Sequence, residues 1–444
     1  MKLKKSLLIL PAVLGMGVCA MTGCSKNKDS LLIWTFSTEM NKIVKKYYSG
    51  HNVKVVNKGN VDAVRTDFEA YLEANKQVPD IICLEAAVVA EYRETTIENS
   101  PLLALEDITT TDDMYSYTKD VVKTPENHLI GLSWQATPGG FFYREDTAQK
   151  LGITTVAQMD TYMTSWEKFL ELADLCKAHN IAVTSGITDA VKVFLSEREN
   201  PWVVNNTLQM ETVLFGDADH TDSCFDFVRK MHHGNYTHQT ALESAGYYSD
   251  MESNNTLGYF CSSWGLFNDI MTHTETSAGH WRMSNAPVNF FKGGTWLSIP
   301  KKAAHIDDAK AFIKYITSDT TFLRRRCKET GDFMNSMTIM AELKDTDIST
   351  YEFGSFLGGQ ADYLQKLYDS AQHINGALIS KYDAVIDGSF ATAVADFAKA
   401  GYQAGQTDDP YTPAQKEALR TTQKRNFISN VKKTYPTLNN PTAA

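Results

Sequence analysis

The alternation of short apolar runs with amphipathic stretches over residues 31–84 constrains this chain more than any other feature. Leu31-Leu32-Ile33-Trp34-Thr35-Phe36 reads as a strand, and Thr38 to Tyr48 as a helix. Val53-Lys54-Val55-Val56 is the next strand. The helix after it carries Val64, Phe68, Tyr71 and Leu72 on one stripe, and Pro79 then introduces the strand Asp80 to Leu84. Strand, helix, strand, helix, strand at this spacing demands a parallel sheet with helices on its faces. Ligands of such open sheets sit at the carboxyl ends of the strands. Here those ends are Phe36-Ser37-Thr38-Glu39 and Glu85.

The 444 residues leave room for a second unit. His128 to Leu132 is a further strand, and Pro138-Gly139-Gly140 before Phe141-Phe142-Tyr143 reads as a crossing between domains. Thr164-x-x-Glu167 is a capping box that predicts a helix with Trp166, Phe169, Leu170 and Ala173 on one face. Ile181 to Thr184 follows as a strand. Gly293 to Pro300 is another glycine-marked strand, and Ala309, Phe312, Ile313 and Ile316 mark a helix after it. From Tyr351 to Tyr435 the pattern is mostly helical.

The N-terminus reads as an address. Lys2, Lys4 and Lys5 precede an apolar stretch from Leu7 to Met21, too short to span a bilayer comfortably. Met21-Thr22-Gly23-Cys24 then resembles a bacterial lipoprotein signal, so residues 1–23 are expected to be removed, Cys24 lipidated, and 24–30 to form a flexible tether. The five later cysteines, Cys83, Cys176, Cys224, Cys261 and Cys327, are odd in number and lack a Cys-x-x-Cys pair. They are expected as small buried hydrophobes. A formal net charge of -10 argues against nucleic acid as the main partner.

No glycine-rich phosphate loop, no Gly-x-Ser-x-Gly elbow and no His-Glu-x-x-His helix is present. Neither cofactor nor metal is expected. The histidines His232, His233 and His238, with Asp217, Asp219, His220 and Asp222 upstream, match no structural zinc spacing and read as a solvated polar segment. Arg324-Arg325-Arg326 reads as a charged helix end. The tryptophans carry more: Trp34, Trp134, Trp202, Trp264 and Trp296 all fall near predicted strand ends, whereas Trp166 lies in a helical stripe and reads as core. Flat aromatic rings suit the C–H faces of sugars, and planar polar groups suit their hydroxyl rims. Glu39, Glu85, Gln135, Asp332, Asn335 and Gln360 occupy similar loop contexts.

In order and context these segments resemble the extracellular solute-binding lipoproteins of ABC sugar transporters, the family that includes maltose-binding protein. The resemblance rests on the lipobox, Leu32 to Phe36, Pro79-Asp80-Ile81-Ile82 with Glu85, Gly139 to Tyr143, Ser165 to Phe169, Asn200-Pro201-Trp202, Tyr259 to Gly265, Gly293 to Pro300 and Thr330 to Phe333. It implies a two-lobed α/β periplasmic-binding-protein-like fold, each lobe a mainly parallel sheet flanked by helices, with a helical C-terminal region. The implied lobes are 31–137 plus 299–335, and 138–298 plus 336–438. A sugar would sit between them, contacted by Phe36, Glu39, Glu85, Gln135, Trp202, Trp264, Gly294, Trp296 and Asp332, with Trp264 stacking on a pyranose. The implied molecule is a non-catalytic monomer, lipid-anchored outside the cell membrane, that delivers carbohydrate to permease subunits. The lobes are expected to close by hinge motion at Gln135 to Gly140 and near Gly293-Gly294. A surface glycan-active enzyme, or a binder of a non-sugar solute, is the alternative.

Overall fold

The computed structural model describes residues 30–403, 406 and 408–441. The expected leader, Cys24 and nearly all of the tether lie outside these residues. Among the described residues no helix is long and apolar enough to cross a membrane.

The strands in chain order are β1 (Leu31–Thr35), β2 (Val53–Asn57), β3 (Ile81–Leu84), β4 (Gly139–Arg144), β5 (Val203–Val204), β6 (Thr207–Leu208), β7 (Gly258–Ser262), β8 (Trp281–Ser284) and β9 (Trp296–Ser298). The first sheet has the order β2-β1-β3-β9. β1 pairs parallel with both β2 and β3, as the alternation predicts, and β9 closes the edge antiparallel to β3. Helix α1 (Glu39–Tyr47) follows β1, α2 (Val61–Glu73) follows β2, and α3 (Ala86–Arg93) follows β3. Asn60 caps α2 by accepting from Ala63 N, and Glu85 caps α3 by accepting from Ala87 N at 3.0 Å.

The second sheet, β7-β4-β8, corrects one detail of the expected architecture: both of its pairings are antiparallel. Among the described residues, parallel pairing in that lobe is limited to bridges from Ala182 to Thr256, from Thr184 to Thr237 and from Thr207 to Asn439. The two-lobed α/β class stands. The sense of pairing was hidden because a strand buried on both faces looks alike in either direction. Its side chains alternate: Phe142, Tyr259, Cys261, Trp281 and Met283 join the core that also covers the first sheet, while Phe141, Tyr143 and Phe260 join a second core with Trp166, Phe169 and Phe227. The helical C-terminal region divides between them. Met337–Leu343 and Tyr363–Ala371 supply the first core; Asp383–Lys399 and Pro413–Thr434 supply the second.

Two local expectations shift. The helix Trp166–Ala178 is capped by Ser165, which accepts from Lys168 N, and not by Thr164, whose hydroxyl donates to Thr161 O. The return to the first sheet comes by Trp296, which pairs with Leu84, three residues before the expected boundary at 299.

Three chain segments run side by side where the lobes join. Ala136 N donates to Phe333 O, Asn335 N to Trp134 O, and Gly139 N to Phe290 O. Thr137 takes a left-handed backbone with φ 53°, unusual for a β-branched residue, and Gly294 does so beside it with φ 97°. An ideal Cβ on Gly294 would sit 3.5 Å from Thr137 Oγ1, so two crossings touch there. At Gly139 the reason for glycine is packing. A Cβ would fall 2.3 Å from the Phe290 ring and 2.6 Å from Cys261 O, so freedom of rotation is not what this residue supplies.

Candidate functional site

A cavity of about 620 Å³ opens between the lobes, in front of these crossings. Its first-lobe wall begins at Glu85, at the carboxyl end of β3. Its second-lobe wall includes Lys192, Arg198, Trp264 and Lys292, and the start of the helix Asp383–Lys399 adds Asp383 and Asp387. Trp264 is half-buried. It follows β7 on a single helical turn, Ser263–Gly265, and its indole Nε1 donates to Lys292 O at 2.8 Å. That bond holds the ring at the cavity wall. Gly293 supports it closely, with an ideal Cβ 3.1 Å from the indole nitrogen.

The charges are only partly answered. Lys292 pairs with the buried Asp189 at 2.9 Å, and Tyr247 donates to the other oxygen of Asp189 at 2.6 Å. Burial alone would lower the Lys292 ammonium, but Asp189 beside it holds it above its usual range. Burial raises the carboxyl of Glu85. Burial, then the charge of Asp383, pushes Asp387 up to about 7. Lys192 is lowered by burial and by Lys292. The cavity wall thus presents one flat aromatic ring and a rim of carboxylates and cations.

A sequence profile of the bacterial extracellular solute-binding proteins matches residues 35–321. The chain belongs to that family. No curated protein sequence matches it. Among solved structures, the sugar-binding protein MalE from Xanthomonas citri is similar with a TM-score of 0.67 at 12% identity, over 92% of this chain and 98% of that one. The ABC transporter associated binding protein from B. animalis subsp. lactis, solved with beta-1,6-galactobiose, gives 0.66 at 18% identity over 93% and 99%. The galacto-N-biose-/lacto-N-biose I-binding protein from Bifidobacterium longum, solved with lacto-N-biose, gives 0.66 at 16% over 91% and 97%. At these identities the likeness shows the fold.

For this solute-binding protein, only two of the expected contact residues line the cavity: Glu85 and Trp264. Trp202 is a correction. It is 1% exposed, packed among Phe215, Phe390 and Phe427 in the second core, and its Nε1 donates to Asp387 at 2.6 Å. It therefore holds a cavity carboxylate from behind. Trp296 is likewise buried, its Nε1 donating to Thr118 O, and Trp34 and Trp134 are buried too. Phe36 packs half-buried against the first core, and Gly294 is buried next to Trp296.

Glu39, Gln135 and Asp332 are also corrected: they meet one another's neighbours behind the cavity. Arg326 donates to Glu39 at 2.6 Å, with both side chains under a tenth exposed. Asp332 accepts from Ser263 Oγ at 2.7 Å and Phe333 N at 2.9 Å. The Gln135 amide donates to Asp332 Oδ2 at 2.9 Å and accepts from Thr295 N at 3.2 Å. The network thus ties all three crossings together. Burial and the charge of Glu39 push Asp332 up to about 7. Asn335 and Gln360 are buried as well, bonded to Tyr115 N and to Met283 N.

The residues the sequence reading missed are Lys192, Arg198, Lys292, Asp383 and Asp387. One signal was present. Asp383 and Asp387 stand four apart at the start of a helix, a like-charge pairing that costs stability unless something else uses it. The polar segment with His232 resolves locally: His220 pairs with Asp217, His238 with Asp250, and His232 and His233 pack on Tyr402. The arginine run pairs with Glu342, Glu329 and Glu39. Cys83, Cys176, Cys224, Cys261 and Cys327 are free and buried.

Proposed function

We propose that this protein captures a sugar or oligosaccharide between its lobes and delivers it to an ABC import permease. The half-buried Trp264, its indole held on Lys292 O at the wall of a cavity rimmed by carboxylates, carries this reading. An apolar ring face with planar hydrogen-bonding groups around it is what a pyranose requires. The relatives solved with galactobiose and lacto-N-biose support the same class of ligand. The protein acts as a monomer, binds without catalysis, and is held outside the cell membrane by lipid on Cys24. Ligand favours the closed arrangement by touching both lobes at once, and the three crossings are the hinge.

Calorimetric titration of the mature chain with mono- and oligosaccharides tests this. One sugar should bind stoichiometrically and be recovered unchanged, and Trp264→Ala should abolish most of the affinity in protein that remains folded. Cleaved sugar in the recovered ligand, or full affinity in Trp264→Ala, overturns the reading.

A further inference from the structure

Residues 372–380 join the helix Tyr363–Ala371 to the helix Asp383–Lys399. Both ends of this segment are held on the second lobe. Lys366 pairs with Asp160 at 2.6 Å and Tyr363 packs on Phe142 of β4, while Ile386 and Phe390 lie in the second core. The middle of the segment is docked on the first lobe. Arg93, the last residue of α3, donates from Nη2 to Ile379 O at 2.6 Å and from Nη1 to Asp120 O. One guanidinium thus joins the segment to a first-lobe carbonyl. Beside it a short helical turn, Gly376–Leu378, is capped by Asn375, which accepts from Ala377 N at 3.0 Å. A Cβ on Gly376 would fall 2.2 Å from Tyr117 O and 2.6 Å from Tyr117 Cα, so the turn sits backbone on backbone against the first lobe.

Two features tie this docking to the cavity. Ile374, Asn375, Leu378 and Ile379 are part of its lining, as is Glu85 of the first lobe. Tyr117, on which Gly376 rests, donates to Ala136 O at 2.6 Å in the first crossing, and its ring packs at 5.3 Å on Phe291, another lining residue. A segment held at both ends on one lobe and docked in its middle on the other cannot follow both as they part. Opening therefore breaks the Arg93 bond to Ile379 or lifts Gly376 from Tyr117. A bond from an ionised donor is among the stronger hydrogen bonds, so the docking favours the closed arrangement.

We propose that residues 372–380 form a clasp between the lobes, fastened by Arg93 and seated through Gly376, which retains the sugar and releases before the sugar leaves. Arg93 and Gly376 are positioning residues: neither is among the residues lining the cavity, and both act through the wall they hold. The inference rests on the sugar-binding reading above.

The test combines calorimetry with stopped-flow tryptophan fluorescence, using whichever of maltose, maltotriose, lactose and beta-1,6-galactobiose binds the mature chain most tightly. Arg93→Met and Gly376→Ala, each checked for a parent-like melting transition without ligand, should speed dissociation about ten-fold and weaken affinity by a similar factor, with association nearly unchanged. Should Gly376→Ala fail to fold, Arg93→Met alone decides. Hydrogen exchange at 372–380 should slow when sugar binds the parent and quicken in ligand-free Arg93→Met, a local response that a merely stabilising residue would not give. Parent-like dissociation in folded Arg93→Met overturns the clasp and leaves the sugar reading standing. Exchange at 372–380 that sugar leaves unchanged does the same. Binding of no sugar in the panel overturns the sugar reading and the clasp with it.

Discussion

Two clusters of charged side chains, one behind the cavity and one at its wall, differ in how far their hydrogen bonds are completed. Behind the cavity, Glu39, Arg326, Asp332, Gln135 and Ser263 answer one another, Arg326 also lies over Phe267 at 4.7 Å, and Arg326 Nε alone among these groups stays without a hydrogen bond. At the cavity wall, Arg198 and Asp383 keep orphan atoms, and Lys192 has no ion-pair partner among the described residues. Both clusters contain carboxylates raised by burial, so a perturbed carboxylate does not by itself mark a binding site. What sets the second cluster apart is that its residues line the cavity.

The comparison breaks if the two kinds of residue respond alike, and the largest test is between two tryptophans. Trp202→Ala should destabilise the fold by roughly 3–5 kcal/mol, as a large buried ring lost from the second core. Trp264→Ala should leave the ligand-free melting temperature nearly unchanged and weaken sugar binding by about 2 kcal/mol, or roughly 30-fold. Thermal melts and titrations of the pair decide it. A Trp264→Ala protein that melts as early as Trp202→Ala would move Trp264 into the core.

Next comes Arg326→Met, which leaves Glu39 buried without its partner. The expected loss is about 3 kcal/mol in denaturant unfolding, because breaking a buried pair costs more than the pair contributes. Adding Glu39→Gln in the same chain should restore much of it. Failure of the second change to rescue would show that Arg326 acts through its packing on Phe267.

A smaller effect sharpens the comparison through pH. Asp332 titrates near about 7 in the fold against 3.8 for its ordinary value. A carboxyl raised on folding holds more protons in the native state across that window. Its contribution therefore favours the fold at the acid end and diminishes as pH rises towards about 7. Asp332→Asn should flatten that decline, each pKa unit being worth about 1.4 kcal/mol. Urea unfolding at acid and neutral pH measures the slope, and an unchanged slope would assign the pH dependence to other groups.

The smallest effect concerns the helix cap. Ser165→Ala should cost about 1 kcal/mol and Thr164→Ala only a few tenths, reversing the order that the Thr-x-x-Glu pattern suggests. Equal losses would mean that the two hydroxyls share the cap.

Some of this protein followed from its sequence alone. The parallel β1-β2-β3 unit was legible because alternation of runs with periods near 2 and 3.6 is a local property, and each run had room for only one kind of element. Glu85 was legible for the same reason: a strand of known direction has a known carboxyl end. The tryptophans were not. Position near a predicted break says where a ring is attached, not whether it turns inward, and Trp34, Trp134, Trp202 and Trp296 all turn inward while Trp264 does not. The pairing of Arg326 with Glu39 joins residues 287 apart, and the cavity wall joins Glu85 to Asp383. Such contacts exist only once the chain has crossed between lobes three times. Local pattern determined the elements and the class of fold. Which polar groups met a partner, and which were left without one, was decided by tertiary packing, because hydrogen bonds are completed between surfaces and not along the chain.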